Sequence, residues 1–498
     1  MKPHAAGNHH RPQRRWHTAR YFKRIEYGMK RIAIVVALCA ALVDRGVGAT
    51  GEALPPTPPT TKPAEKPKAP EKNPRNSKAS PAREPAAPTV EFKFDKPMAV
   101  PQVTATALHS EVSAALDKDG RLHVVWIEED KKARELYHAV LDSATNQFDK
   151  PTKVRDTRGE LQRGIQVRAD EGAVYVVWCE TPQAPTDTEI RLAVSRDGGG
   201  NWDKSVRVSD NPKQKPASLP ALAVSQGRVF VTWLDARNSQ PGRGTDLYLA
   251  SSPNGGRDFN KPGALVPQAN ESAQCIAATK QLVLVLGRLG QGPAQNDVVL
   301  RASADGGNTF PGVMRVAIDG WKQNRPLDSG PQAVFDDRDR LHVVWMCGKE
   351  NAGDVYYTHS FMKDGFTQFE LKKRVHLTAQ GTQTLPVLAL DGERIVVAWQ
   401  DARDRQTSLA LTQSTDDGKT FAVPVLVPLA NNTAVQAFGS LPSLCVAADG
   451  ATYLAWIESI VTLKQQRAHV VRVPRPAAPA PTTPTPTTTP PPTDETKQ

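Results

Sequence analysis

Cysteine is scarce in this chain. It has five among 498 residues, and one of these, Cys39, sits in an apolar run near the start. So thin a set excludes a small scaffold stapled by disulfides. The other four, Cys179, Cys275, Cys347 and Cys445, fall in four separate apolar runs, which predicts buried, unpaired thiols. Long hydrophobic stretches are lacking too: the run from Ile32 to Val43 has twelve residues, too short to span a bilayer comfortably, and no apolar tail follows the C-terminal tract. The histidines His109, His123, His138, His342, His359, His376 and His469 are scattered without metal-ligand spacing, so no metal is expected. There is no Gly-rich phosphate loop, nucleophile elbow or His-Glu-x-x-His helix, and no cofactor is expected either.

An excess of positive charge is missing where it would matter. The net charge of +11 invites a nucleic-acid reading. Residues 1–49, however, hold ten Lys and Arg against Glu26 and Asp44, and residues 50–90 hold seven against four Glu. These two segments carry the whole excess and leave the rest of the chain neutral, which excludes a nucleic-acid partner on charge grounds. Residues 1–49 join a basic segment to the apolar run and end in Val-Gly-Ala at Ala49. That is the pattern of a signal peptide, read from either Met1 or Met29, and it predicts a secreted, periplasmic or cell-envelope protein without a membrane span once cleaved. Residues 50–91, rich in Pro, Lys, Glu and Ala, form a linker that cannot bury enough surface to fold. Residues 474–498 are a Pro/Thr tract of the same kind.

What is present, between these arms, is a repeat. Arg121 to Asp130 reads as a turn-leaving Arg, a β-branched apolar run, a Trp and then carboxylates. Copies recur at Trp178, Trp233, Trp345, Trp399 and Trp456, with Leu286 filling the one gap. The anchors lie 52, 55, 53, 59, 54 and 57 residues apart, a period that marks a repeat architecture. Each unit reads as four short strands: an apolar run closed by a turn such as Asp117 to Gly120, the anchor strand, a third half-buried strand such as Asp246 to Ser252, and a short fourth. Units of about fifty residues with four antiparallel strands predict an all-β β-propeller over residues 92–473, with seven blades, or six if the Leu286 repeat is not a full one. Phe94 to Val100 repeats the pattern of Phe148 to Val154, the run into a fourth strand, whereas the last repeat has only three strands before its Pro tract. Residues 92–106 are therefore expected to complete the final blade and close the ring as a monomer.

Between the third and fourth strands stands Ser195-x-Asp197-x-Gly199-x-x-Trp202. It recurs as Ser303-x-Asp305-x-Gly307-x-x-Phe310 and Ser414-x-Asp416-x-Gly418-x-x-Phe421, with a near copy from Ser252 to Phe259. These motifs resemble the Asp-boxes, or BNR repeats, of the sialidase-like propellers. The role expected of them is structural: the Asp caps turn amides, the Gly permits the backbone, and the aromatic packs between sheets. Sialidases hold the sugar carboxylate with three Arg and use a Tyr nucleophile paired with a Glu, and an Asp as acid/base. This chain lacks their early Arg-Ile-Pro motif and has Phe438 where the nucleophilic Tyr is expected. The resemblance thus implies the fold without the usual covalent intermediate.

A site is expected where first strands begin and anchor strands end, since both lie on one face. The residues opening first strands are Ser110, Arg163, Ser218, Ser272, Ser329, Thr384 and Ser440, 14 to 16 residues before their anchors. Two positions after the anchors come Glu128, Glu180, Asp235, Arg288, Cys347, Asp401 and Glu458. Five carboxylates would rim this mouth and supply any acid/base pair, with Arg163, Arg237, Arg288 and Arg403 among them and Ser218, Thr384 and Ser440 as hydroxyl ligands. The competing expectation is that Trp-x-Asp-x-Arg, at Trp233 to Arg237 and Trp399 to Arg403, makes a salt bridge within its own blade. The function expected is binding of extracellular or envelope glycans or polypeptides; the alternative is an atypical glycoside hydrolase using two of the five carboxylates.

Overall fold

A computed structural model describes residues 87–477 apart from 132, 157–158, 162, 183–187, 211–214, 241–243, 268, 270–273, 289–296, 318–329, 348–352, 364–365, 376–380, 403–406, 431–440 and 461–464. The segments expected to be signal peptide and linker, up to residue 86, and the tail from residue 478 lie outside the described residues, as do Arg403, Phe438 and Ser440. Every described element is a strand, and no described helix is long and apolar enough to cross a membrane.

The strands form seven antiparallel sheets arranged as the blades of a β-propeller. Blade 1 shows the plan: an inner strand Leu108–Leu116, the anchor strand Leu122–Glu129, a third strand Arg134–Asp142, and an outer strand in two pieces, Gln147–Phe148 and Thr152–Lys153. Where a sheet has a fifth piece, it is a broken part of one of these four. In blade 2 both Glu160–Leu161 and Gln166–Asp170 pair with the anchor strand Ala173–Thr181. The repeat around Leu286 is a full blade of Cys275–Ala278, Val283–Arg288, Val298–Ser303 and Met314–Ala317, so the count is seven and not six.

Blade 7 takes its inner three strands from Ser443–Val446, Thr452–Ile460 and Gln465–Val473, and its outer strand from the other end of the domain. Met98 pairs with Val470 and Ala99 with His469. Flanking bonds extend the seam: Asp95 N–H donates to Arg472 C=O at 3.0 Å and Val100 N–H to Ala468 C=O at 2.9 Å. The ring is closed by the segment predicted to close it.

The core lies between blades rather than inside them. Val112, Val124 and Trp126 of blade 1 pack with Tyr453, Ile457 and Val470 of blade 7, and an equivalent layer joins each neighbouring pair. The six anchor Trp are 0 to 2% exposed. Burying a Trp removes roughly 150–250 Å² from water, on the order of 4–6 kcal/mol each. That figure is an upper bound, since an unfolded chain already hides part of this surface. The recurring Trp therefore reflects one packing problem solved once per blade.

Candidate functional site

Residues two apart on a strand point to the same face, so an anchor Trp and the residue two positions on lie side by side. The indole N–H donates to that carboxylate in four blades: Trp126 to Glu128 at 3.4 Å, Trp178 to Glu180 at 2.9 Å, Trp233 to Asp235 at 2.9 Å and Trp399 to Asp401 at 3.1 Å. In blade 7, Glu458 instead accepts Ala430 N–H at 3.1 Å and lies 3.7 Å from His469 Nδ1. All five carboxylates are 0 to 2% exposed. The row occupies the expected register, yet it faces the blade interior rather than an open rim.

Further partners bind these acids. Glu128 accepts the backbone N–H groups of Val103 at 2.6 Å and Thr104 at 2.9 Å, so the segment that closes the ring also caps this carboxylate. Glu180 has Arg191 at 3.7 Å and Arg155 at 4.0 Å. Asp235 takes three bonds from Arg237, from its backbone N–H at 2.9 Å, Nε at 3.0 Å and Nη2 at 2.8 Å. The same guanidinium reaches Asp210 at 2.7 Å and lies 4.3 Å from the Tyr248 ring centre. This is the within-blade bridge weighed for Trp-x-Asp-x-Arg. Arg288 is also buried and donates through Nη2 to the Met346 carbonyl of the next blade. Of the sequence candidates, Arg163 is exposed at the opening of the blade 2 inner strand, while Ser218 and Thr384 are half-buried at the corresponding points of blades 3 and 6.

The space these elements enclose is the central channel. Its cavity of about 510 Å³ is walled by the inner strands of all seven blades. At the mouth end the inner strands bulge, with register shifts at His109/Glu111, Ser218/Ala221 and Thr384/Val387. The residue after the strand opening turns to positive φ in three blades: Gly164 at 99°, Leu219 at 50° and Leu385 at 52°. A left-handed leucine costs about 1–2 kcal/mol, so these two are held there by their surroundings. Pro220 and Pro386 follow directly, and Pro442 stands at the same register in blade 7. A residue without an N–H is tolerated here because the inner edge has no further strand to pair with.

Side chains of neighbouring blades satisfy that free edge instead. Ser443 Oγ accepts Ala114 N–H at 3.1 Å, Ser113 Oγ accepts Val167 N–H at 3.2 Å and Gln166 Oε1 accepts Leu222 N–H at 3.0 Å. Nearer the mouth, Glu111 accepts Gly164 N–H at 2.8 Å and Ile165 N–H at 3.0 Å. Burial pushes the Glu111 carboxyl above its ordinary range, against the pull of those two amides and of Arg163 and Arg134. Sequence reasoning missed Glu111. The opening-residue pattern named Ser110, and the bulge makes the next side chain the one that enters the channel. The described cysteines are free thiols; Cys179, Cys275 and Cys347 are buried as expected, whereas Cys445 is half-buried on the channel wall.

The four Ser-x-Asp/Asn-x-Gly turns lie at the opposite face and share one bonding pattern. In the first, Ser195 Oγ–H donates to Asp197 at 2.7 Å and accepts Gly199 N–H at 2.8 Å, while Asp197 accepts Asn201 N–H at 2.9 Å. Ser303, Ser252 and Ser414 repeat it with Asp305, Asn254 and Asp416. The bonds to Asn201, backbone first, hold the Asp197 carboxyl down at about 2. Trp202 meets His138 of the preceding blade edge-on at 5.3 Å, and Phe421 meets Tyr357 in the same way. A Cβ on Gly199 would collide with the His138 ring, so only glycine allows this approach. Among the described residues no group of His, Cys, Asp and Glu is arranged to hold a metal ion.

No protein-family model matches the chain, and no curated protein matches it. Solved structures with a similar chain path include a protein of unknown function from Dyadobacter fermentans, with 10% identity over 77% of this chain and 99% of that one and a TM-score of 0.46. The α-L-arabinanase of Penicillium chrysogenum, solved with arabinobiose, has 14% identity over 78% and 98% and a TM-score of 0.44. The leech intramolecular trans-sialidase has 11% identity over 68% and 80% and a TM-score of 0.41. No residue role is carried over from any of them.

Proposed function

We propose that this chain is an exported propeller that binds glycans at the mouth of its channel, without the covalent chemistry of a sialidase. The observation that carries the reading is the fate of the carboxylate row. Glu128, Glu180, Asp235, Asp401 and Glu458 are buried and engaged by indoles, backbone amides, arginines or histidine, which disfavours their acting as an acid/base pair on a bound sugar. In this reading Arg163, Ser218 and Thr384 contact the ligand; Ser440, which opens the last inner strand in the sequence pattern, and Arg403, four residues after its anchor, are the further ligand contacts proposed from the sequence. Arg237 and Arg288 shape the mouth through their bonds within and between blades. Leu219 and Leu385 add apolar surface beside Glu111 and Gln274, the mixture that a sugar with one polar edge and one apolar face requires.

A hydrolase is the second reading, and one observation favours it. Glu111 lines the cavity with a carboxyl raised by burial, the state a general acid needs. Printed glycan panels and fluorogenic glycosides separate the two readings. Binding without turnover supports the first. Turnover abolished by Glu111→Gln, Asp401→Asn or Glu128→Gln supports the second. Retention on immobilised polypeptide with no glycan bound would replace both with a protein partner.

A further inference from the structure

Below the mouth the channel holds Arg168, a cation with no acid paired to it among the described residues. Arg168 stands on the inner strand of blade 2, three residues before its anchor in register, opposite Tyr175. The equivalent residues of the other blades are Ala115, Ala223, Ala278, Val334, Ala389 and Cys445. At this level, then, a single long side chain enters a ring of small ones, and none of its six counterparts is an acid.

Arg168 lines the same cavity as Cys275 of blade 4 and Cys445 of blade 7. Burial raises both thiols, that of Cys445 to about 11, so neither supplies a negative charge at neutral pH. The one hydrogen bond Arg168 makes among the described residues runs from Nη1 to the Val167 carbonyl at 2.8 Å. Among the described residues Glu111 is the single acid lining the cavity, and its carboxylate is committed to Gly164 and Ile165. Gln332 of blade 5 also lines the cavity and makes no side-chain hydrogen bond among the described residues. Arg168 is half-buried and its remaining N–H groups face the channel, an arrangement that suits an oxyanion because the planar fork matches two oxygens at once.

We propose that the central channel is a binding site for a small oxyanion, a carboxylate or a phosphate, chelated by Arg168 with the Gln332 amide as a second donor. A cavity of about 510 Å³ suits a compact organic acid or inorganic phosphate rather than a polymer. The site lies deeper than the mouth and stands whether or not a glycan binds there.

The test uses the mature secreted chain, with inorganic phosphate and malonate as probes and sodium chloride at matched ionic strength as control. The wild type is expected to gain melting temperature saturably with at least one probe and not with chloride, and calorimetry on both tells phosphate from carboxylate. Arg168→Gln should weaken that binding about 10- to 100-fold, the loss of a charged pair of hydrogen bonds. Arg168→Lys should retain part of it, and Gln332→Ala should weaken it less. In anion-free buffer Arg168→Gln should melt no lower than the wild type, since it removes a charge the fold leaves without a counter-ion. The proposal is overturned if the wild type responds to neither probe, or if Arg168→Gln binds them as well as the wild type does. A marked drop in the melting temperature of Arg168→Gln in anion-free buffer would also overturn it, making Arg168 a structural residue.

Discussion

At the residue scale, the chemistry of this protein is decided by which polar groups the fold has already spent. Buried Asp235 joins Trp233 and Arg237, and Arg237 reaches on to Asp210 at the surface. Asp235→Ala should cost about 1–3 kcal/mol, because it leaves a buried indole N–H without its acceptor and Arg237 with Asp210 alone; Asp235→Asn, which still accepts from the indole, should cost less. Urea denaturation of the two variants checks the ranking. Two histidines make a second prediction. Burial, with Arg467 and His469 nearby, holds His109 at about 3, and burial with His123 does the same to His138. His109 Nδ1 accepts Ala468 N–H at 3.1 Å, so protonation would set two donors against each other. With folded values depressed below the ordinary 6.5, the unfolded chain binds protons first as pH falls. Stability is therefore full above 6.5 and lost below it, by about 1.4 kcal/mol per pH unit for each histidine. Denaturation series between pH 7.5 and 4.5 should show that slope, and His138→Phe should reduce it. The carboxylate row was legible in the sequence from its fixed offset to the anchor. Its engagement with the indole was written there too, because residues two apart share a face. Arg168 was not legible: its meaning comes from six small residues in six other blades, which only ring closure brings to one level.

At the element scale, the two-residue strand Met98–Ala99 does more than its length suggests. It covers the edge of Gln465–Val473, and the segment behind it delivers two amides to Glu128. A chain beginning at residue 107 should lose both contributions, expose a sheet edge and associate through it. Size-exclusion chromatography should then show oligomers, and the melting temperature should fall by several degrees. An unchanged monomer would contradict the closure role. This strand was readable because Phe94 to Val100 copies Phe148 to Val154 while the last repeat lacks a fourth strand. The bulges at the mouth were not readable. Leu219 and Leu385 adopt a backbone conformation that leucine avoids, and no local pattern announces a residue held against its own preference.

At the scale of the whole molecule, seven similar sheets close a ring whose inner edges face a common channel, and the period of the anchors announced that ring. The blade around Leu286 shows that the Trp is replaceable where a neighbouring apolar layer fills the space, which is why the sequence left six or seven open. The position of the site follows from the same geometry. Residues at the ends of the anchor strands are buried between sheets, whereas the inner strands line the channel along their length, from Glu111 at the mouth to Leu116 below it. The central claim, that the mouth holds a sugar without cutting it, is tested most directly by incubating the protein with a glycan it binds and recovering the ligand for mass spectrometry. The account predicts intact ligand after many hours at saturation, from the wild type and from Asp401→Asn alike. Cleaved ligand from the wild type, absent with Asp401→Asn or Glu111→Gln, would contradict it.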